Sequence, residues 1–248
     1  MRVRSSKLPL ARQCARLFVL GVITVALFLP WYTSRAQSAN AFDWIVVNGD
    51  HLVDVSGRLV VLHGYVVPVN VSSEDAIPYT LQDYQRMRGL GANYQSIRLF
   101  AGPLGAWPGQ TPDPTYLAAI DNMVQLGKQV GIYSDFKLTL YGLSNESTVW
   151  NDFWANQHGE QAAVLAAWQT LWQKYRDEPA VVGYDLLNEP QPTGLQNAAP
   201  DATAEMPSDF ADTHLLPLYQ AWIDAVQSVD KRHLAFFQPL FLPKIGFA

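Results

Sequence analysis

The feature that most restricts the fold of this chain is a recurrence. An apolar run of strand length is followed by an amphipathic stretch of helix length, four times over, and a fifth strand signal follows. The strand signals are residues 59–67, 94–100, 131 to about 140, 180–188 and 234–238. The helix signals are residues 80–90, 115–129, 159–175 and 212–229. In the second of these, Leu117, Ile120, Val124 and Leu126 fall at helical spacing; in the third, Ala162, Leu165, Trp168, Leu171 and Trp172 share one stripe. Strands alternating with helices in this way belong to α/β folds built on a parallel sheet. A shorter pair of extended segments, Trp44 to Val55, is expected to form a hairpin closing the N-terminal end.

Five strands suit two architectures. An open, doubly wound sheet can stop at five, whereas a closed (β/α)8 barrel needs eight parallel strands and about 250 residues. The pattern by itself leaves both open. A doubly wound nucleotide binder would carry a Gly-rich phosphate loop after an early strand, and the first turn here has none.

Residues 1–36 stand apart from this pattern. Arg2, Arg4, Lys7, Arg12 and Arg16 precede an apolar run from Leu17 to Trp31, and Ser34-Arg35-Ala36 places small residues where a signal peptidase reads. This layout predicts a secretory signal peptide over residues 1–36, with the remainder, residues 37–248, secreted or periplasmic. The run is short for a membrane span of roughly 20 residues, so no stable span is expected after cleavage; an uncleaved anchor is the alternative. The leader holds six of the 17 basic residues and none of the 22 acidic ones, so the remainder sets 11 basic against 22 acidic residues, a balance of −11. Such a body repels phosphate backbones, which argues against a nucleic-acid partner. The single cysteine, Cys14, lies in the leader, so the exported part would hold itself together without a disulfide.

The chemistry concentrates in Val181-Val182-Gly183-Tyr184-Asp185-Leu186-Leu187-Asn188-Glu189-Pro190. An apolar strand ends in an amide, a carboxylate and a proline that cannot continue the ladder. Asn188 and Glu189 therefore sit at the carboxyl end, where the loops of a barrel gather an active site. Adjacent strand residues face opposite sides, so both can line one site only if the backbone is irregular there. The plain alternative for an isolated Asn-Glu-Pro is a polar loop start.

Further matches make the segment specific. Leu52-Val53-Asp54 with Gly57-Arg58, Val61-Leu62-His63-Gly64-Tyr65, Gly91-Ala92-Asn93 through Ile97-Arg98-Leu99-Phe100, Pro108-Gly109, Tyr116-Leu117 and Gly131-Ile132-Tyr133 all resemble blocks of glycoside hydrolase family 5. Within it, the likeness is to the endoglycoceramidase-like branch, and Pro179 through Pro190 is the best match. The resemblance covers residues 45 to about 240. It implies a (β/α)8 TIM barrel that is incomplete, with about five of eight βα units present, and a retaining glycosidase acting without cofactor or metal on β-linked glycans or glycolipids. It implies Glu189 as general acid/base, Asn188 as a hydrogen-bond partner of the sugar 2-hydroxyl, and Arg98 as support for the nucleophile carboxylate. A retaining glycosidase needs one carboxyl to protonate the leaving oxygen and then activate water, and a second, about 5–5.5 Å away, to attack the anomeric carbon. An arginine beside that nucleophile favours its ionised form.

Three departures accompany the resemblance. Lys137 and Thr139 stand where the family's third strand has Asp-x-His, and in the first strand Val66-Val67 stand after His63-Gly64 where an Asn is usual. The family's nucleophile lies on a seventh strand, and residues 231–248 contain no Asp or Glu. The remaining candidates are unpromising: Glu205 falls in a Pro/Ala-rich loop, and Glu160 opens a helix, where acids favour the dipole. The expectation is a piece of a longer reading frame, inactive as it stands, with exposed sheet edges; a noncatalytic carbohydrate-binding barrel is the rival. Trp107, Trp150 and Trp154 lie in loops at the active end, where they could stack on sugars or simply pack, and Asn70-x-Ser72 and Asn145-x-Ser147 are glycosylation sequons.

Overall fold

The computed structural model describes residues 42–69, 78–144, 148–192, 209–242 and 246–247. The leader, Cys14, Glu205 and both sequons lie outside these residues.

The expected hairpin is present. β1 (Ile45–Asn48) pairs antiparallel with β2 (His51–Asp54) across Gly49-Asp50. Asp54 accepts from the Ser56 hydroxyl and amide and from Arg58, and these bonds hold its carboxyl well below the usual range despite its burial. Phe42 meets the ring of Tyr133 edge-on at 4.7 Å, and Trp44 does the same to His233 at 5.1 Å. Both partners stand at the N-terminal ends of later strands, so the hairpin covers that end of the sheet.

The main sheet is β3 (Gly64–Pro68), β4 (Tyr94–Phe100), β5 (Tyr133–Thr139), β6 (Val181–Asp185) and β7 (Leu234–Phe236), all parallel and hydrogen-bonded in chain order. This order decides between the two architectures left open above. A doubly wound sheet reverses its strand order at a switch point; here each strand adds on the same side of the last, which is the winding of an incomplete (β/α) barrel. Gly183 lets two strands approach, since a Cβ there would lie 2.2 Å from the carbonyl oxygen of Leu234.

Helices fill the crossovers. α1 (Leu81–Gly89) starts on a capping box between Thr80 and Asp83. The short α2 (Ala101–Leu104) follows β4, and α3 (Pro114–Val130) has Asp113 as N-cap, proline at its first position and left-handed Gly131 at its end. α4 (Val149–Ala155) and α5 (Glu160–Tyr175) precede β6; a π-helical turn, Ala211–Leu215, leads into α6 (Leu216–Val229). A small antiparallel pair, β8 (Phe241–Leu242) with β9 (Gly246–Phe247), comes last. Among the described residues no helix is long and apolar enough to cross a membrane.

The core lies between the sheet and its helices. Ile97, Leu99, Phe136, Leu138 and Tyr184 from the strands, with Leu186 just past β6, pack with Tyr116, Ile120, Trp168, Trp172 and Trp222 from the helices.

Several boundaries differ from the sequence expectation. The first strand is only Gly64–Pro68, because Leu59 makes an isolated bridge to Val53 and Val61 is exposed. The fourth stops at Asp185, short of Asn188, and the fifth at Phe236, short of Gln238. The stretch from Asp212 begins as a π turn rather than an α-helix, and α2 and α4 lie in segments expected to be loops. Both edges of the sheet carry exposed apolar side chains, Tyr65 and Val66 on β3 and Phe237 just after β7.

Candidate active site

The segment after β6 leaves the ladder without leaving the sheet. Leu186 N–H donates to the carbonyl of Phe236 and Asn188 N–H to that of Leu138, at 3.0 and 2.7 Å. The Leu186 carbonyl is taken from the helix side by the Trp168 indole at 3.1 Å, and the Leu187 carbonyl lies 3.5 Å from the Tyr219 hydroxyl, a weaker contact than that hydroxyl makes elsewhere. The chain then turns sharply, with Glu189 at φ +50°. Of the described non-glycine residues only Asn156 shares a positive φ. That conformation crowds Cβ against the following carbonyl at a cost of about 1–2 kcal/mol, and such residues persist where the surroundings over-determine them. It is the irregularity that an active Asn188-Glu189 pair requires, because the strict alternation of a strand no longer forces the two side chains apart.

Across the sheet, Pro68, Arg98, Lys137 and Asp185 stand at one register level on β3 to β6. One level earlier, Ser96 is in register with Asp135 and Asp135 with Gly183. These residues occupy the face opposite the helix-packed core. Lys137 Nζ lies 3.5 Å from Asp185 Oδ2, and the Gln238 amide donates to the same oxygen at 2.6 Å. Gln238 also links to both residues of the pair. Its Nε2 reaches Asn188 Oδ1 at 3.5 Å, and its Oε1 accepts the Glu189 N–H at 3.0 Å.

Arg98 near the C-terminal end of β4 and Asn188 and Glu189 just past β6 thus share one end of the sheet, with β5 between them, but they are not joined to one another. Arg98 makes no ion pair among the described residues, and its Nε is buried without a partner. Asn188 is 4% exposed, with Nδ2 unpartnered. Glu189 is half-buried, and its carboxylate accepts no hydrogen bond from the described residues. Among the described residues, a guanidinium nitrogen, an amide donor and a carboxyl are thus left without a protein partner.

Burial dominates the electrostatics of this face. It pushes the Asp135 carboxyl up to about 7, with the nearby Asp185 charge adding and the Ser96 and Tyr94 hydroxyls and Lys137 opposing. No hydroxyl reaches Asp135 Oδ1 in hydrogen-bonding geometry. Burial also raises Asp185, against the pull of Gln238 and Lys137.

Three residues of this face went unread in the sequence: Asp135, Asp185 and Gln238. For Asp135 a signal existed, since Asp135, Lys137 and Thr139 recur every second residue and so mark one side of a strand. The cation at 137 has its anion in Asp185, while Thr139 Oγ1 is buried without a partner. Trp107, Trp150 and Trp154 are packing residues: all are buried, Trp150 stacks on Trp154 at 6.3 Å, and Trp154 Nε1 donates to the Gln191 carbonyl at 2.6 Å. Among the described residues no group of His, Cys, Asp or Glu is arranged to hold a metal ion.

A family model for cellulase, glycosyl hydrolase family 5, matches residues 73–241. The chain belongs to that family. An endoglycoceramidase of Hydra vulgaris is 24% identical over 88% of this chain and 53% of its own length. Among solved structures, an endogalactoceramidase superposes with a TM-score of 0.65 at 23% identity, covering 80% of this chain and 53% of its own. Endo-glycoceramidase II from Rhodococcus sp. superposes with a TM-score of 0.63 at 19% identity, covering 78% of this chain and 51% of its own. At such identities the two structures bear on the fold alone. This family-5 chain spans about half the length of these relatives.

Proposed function

We propose that this chain carries the acid/base half of a retaining glycosidase that cleaves O-glycosidic bonds of β-linked glycans or glycolipids. The observation that carries the proposal is Glu189: a half-buried carboxyl with no hydrogen-bond partner among the described residues, on a left-handed turn at the C-terminal end of the fourth parallel strand of a family-5 chain. In this reading Glu189 protonates the leaving oxygen and then deprotonates the incoming water. Asn188 donates Nδ2 to a sugar hydroxyl, and Arg98 faces the carboxylate that attacks the anomeric carbon. The names of the endoglycoceramidase relatives support a glycolipid as substrate. The order of the leader supports export to a secreted or periplasmic location.

Apart from Glu189, neither carboxylate of this face is free to be the nucleophile. Asp185 is held by Gln238 and Lys137, and Asp135 is buried one register level deeper. The 248-residue chain is therefore expected not to turn over glycosides by itself. In this reading a small anion can stand in for the attacking carboxylate, because Arg98 makes no ion pair among the described residues. With formate or azide and an aryl β-glycoside of modest leaving ability, the chain should yield the inverted glycosyl adduct. Glu189→Gln should abolish that reaction, since the poor leaving group then departs unprotonated. Product analysis by NMR reads both. An unchanged rate in Glu189→Gln rejects the acid/base role, and turnover without added anion rejects the reading that this chain supplies only the acid/base half.

A noncatalytic carbohydrate-binding protein is the second reading, favoured by Lys137, which fills the sheet centre with an ion pair. Sugar binding without product, even in formate, selects it.

A further inference from the structure

Gln238 lies 49 residues after Glu189 and has no role in the reaction outlined above. It nevertheless makes three contacts in the site through one planar amide, and donor–acceptor logic fixes how that amide is turned. The Glu189 backbone N–H can only donate, so the atom it meets at 3.0 Å must be Oε1. That puts Nε2 against Asp185 Oδ2 at 2.6 Å, where an ionised carboxylate can only accept. The same Nε2 then faces Asn188 at 3.5 Å and selects its Oδ1 over its Nδ2. The consequence falls on Asn188: with its oxygen turned to Gln238, Nδ2 is the atom left buried and unpartnered.

The glutamine is itself held from below. The Tyr219 hydroxyl donates to the Gln238 carbonyl at 3.0 Å and accepts its N–H at 3.3 Å. Tyr219 is 2% exposed and belongs to the helix-packed core. A core tyrosine on α6 thus fixes the backbone just past β7, and that backbone aims one amide at the turn past β6.

We infer that Gln238 is a positioning residue for the Asn188–Glu189 pair: its oxygen anchors the left-handed turn at Glu189, and its nitrogen turns the Asn188 amide so that an N–H donor is presented to the sugar. This rests on the function proposed above, which supplies the sugar. The anchor itself is a property of the free protein. An unanchored Glu189 would relax toward ordinary backbone wells, since nothing else described holds its N–H. An unoriented Asn188 could present its oxygen as readily as its nitrogen and would lose its selectivity for acceptors.

Two variants separate the elements of this arrangement. Gln238→Leu removes both functions. Gln238→Glu keeps an acceptor for the Glu189 N–H but retains a donor toward Asp185 only while the new carboxyl is protonated. In the chain as it exists, amide exchange followed by NMR should show Glu189 N–H protection falling roughly tenfold or more in Gln238→Leu and persisting in Gln238→Glu. Cellobiose binding, measured by calorimetry, should weaken about tenfold in Gln238→Leu, as in Asn188→Ala, and the double variant should be no worse than either single one. In Gln238→Glu, affinity should match the parent at low pH and fall as the pH rises and the new carboxyl ionises beside Asp185, a trend a merely structural glutamine would not produce. The inference is overturned if the Glu189 amide stays protected in Gln238→Leu, or if the Asn188 and Gln238 effects on binding simply add. If Asn188→Ala binds cellobiose like the parent, the proposed function falls, and the purpose assigned to Gln238 falls with it. The exchange result still tells that failure apart from a missing anchor.

Discussion

The two faces of the β4–β5–β6 sheet are built from alternate residues of the same three strands, yet they follow opposite rules. On the helix side, Ile97, Leu99, Phe136 and Leu138 are fully buried, and the polar residues these strands contribute are paired, although the Trp172 indole Nε1 on α5 is buried there without a partner. Gln95 there accepts from the Tyr84 hydroxyl at 2.7 Å and donates to the Met123 carbonyl and the Ser134 hydroxyl. Tyr184 donates to Asp230 at 2.8 Å. On the other side, Ser96, Arg98, Asp135, Thr139 and Asp185 each keep a buried polar atom with no partner. Native interiors seldom leave such atoms alone, because each costs about 1–3 kcal/mol. The difference teaches where each kind of work is done. One face is packed for the fold, and the other carries polar groups that no described residue satisfies.

Substitutions can break this contrast. The largest effect should come from Phe136→Ala on the helix side. Phe136 is fully buried between Tyr175 and Tyr184, with ring centroids 4.8 and 6.3 Å away, so the variant should lose about 3–5 kcal/mol in urea unfolding. A loss below 1 kcal/mol would mean that the core is not where the contacts place it.

An intermediate effect belongs to the other face and depends on pH. Asp135 titrates near 7 in the folded chain because burial disfavours its charge, against an ordinary value of 3.8 in the unfolded one. Between these values the unfolded state has already released the proton that the folded state keeps, so stability falls as pH rises from about 4 to about 7. The loss is on the order of a few kcal/mol. Asp135→Asn should flatten that slope in unfolding curves taken across this range, with any remainder in the same direction due to Asp185, which burial also raises. A variant with the parent's slope would place the buried proton elsewhere.

The smallest test compares the faces directly. Tyr84→Phe deletes a paired hydroxyl on the helix side and should cost about 1 kcal/mol. Ser96→Ala deletes an unpaired one opposite and should stay within about 0.5 kcal/mol of the parent, or gain slightly. Equal costs would erase the distinction.

The order of elements was legible because strand and helix periods differ, and Thr80, Asp113, Pro114 and Gly131 punctuate them in the sequence. Strand ends were not. Leu186 and Leu187 are apolar because they are buried, not because they are in a ladder, so the fourth run reads longer than its pairing. At the start of the first strand the reverse holds, since Leu59 and Val61 are apolar and exposed. The site was legible wherever a local pattern carried it, as in Asn188-Glu189-Pro190. Gln238 could not be found that way, because a glutamine after a short strand has no signature until sheet order puts it beside Glu189. Asp135, Lys137 and Thr139, the polar residues that interrupt the third strand, are the inner face itself.

The mirror-image backbone at residue 189 also bears on how this protein would evolve. Glycine occupies that well without strain, and asparagine tolerates it better than most. A population selected only for heat resistance should drift from Glu189 toward Gly or Asn. One selected for sugar chemistry, on the role proposed here, should hold the acid in place despite its conformational cost, so sequencing the survivors of the two regimes would reveal which need had kept it there.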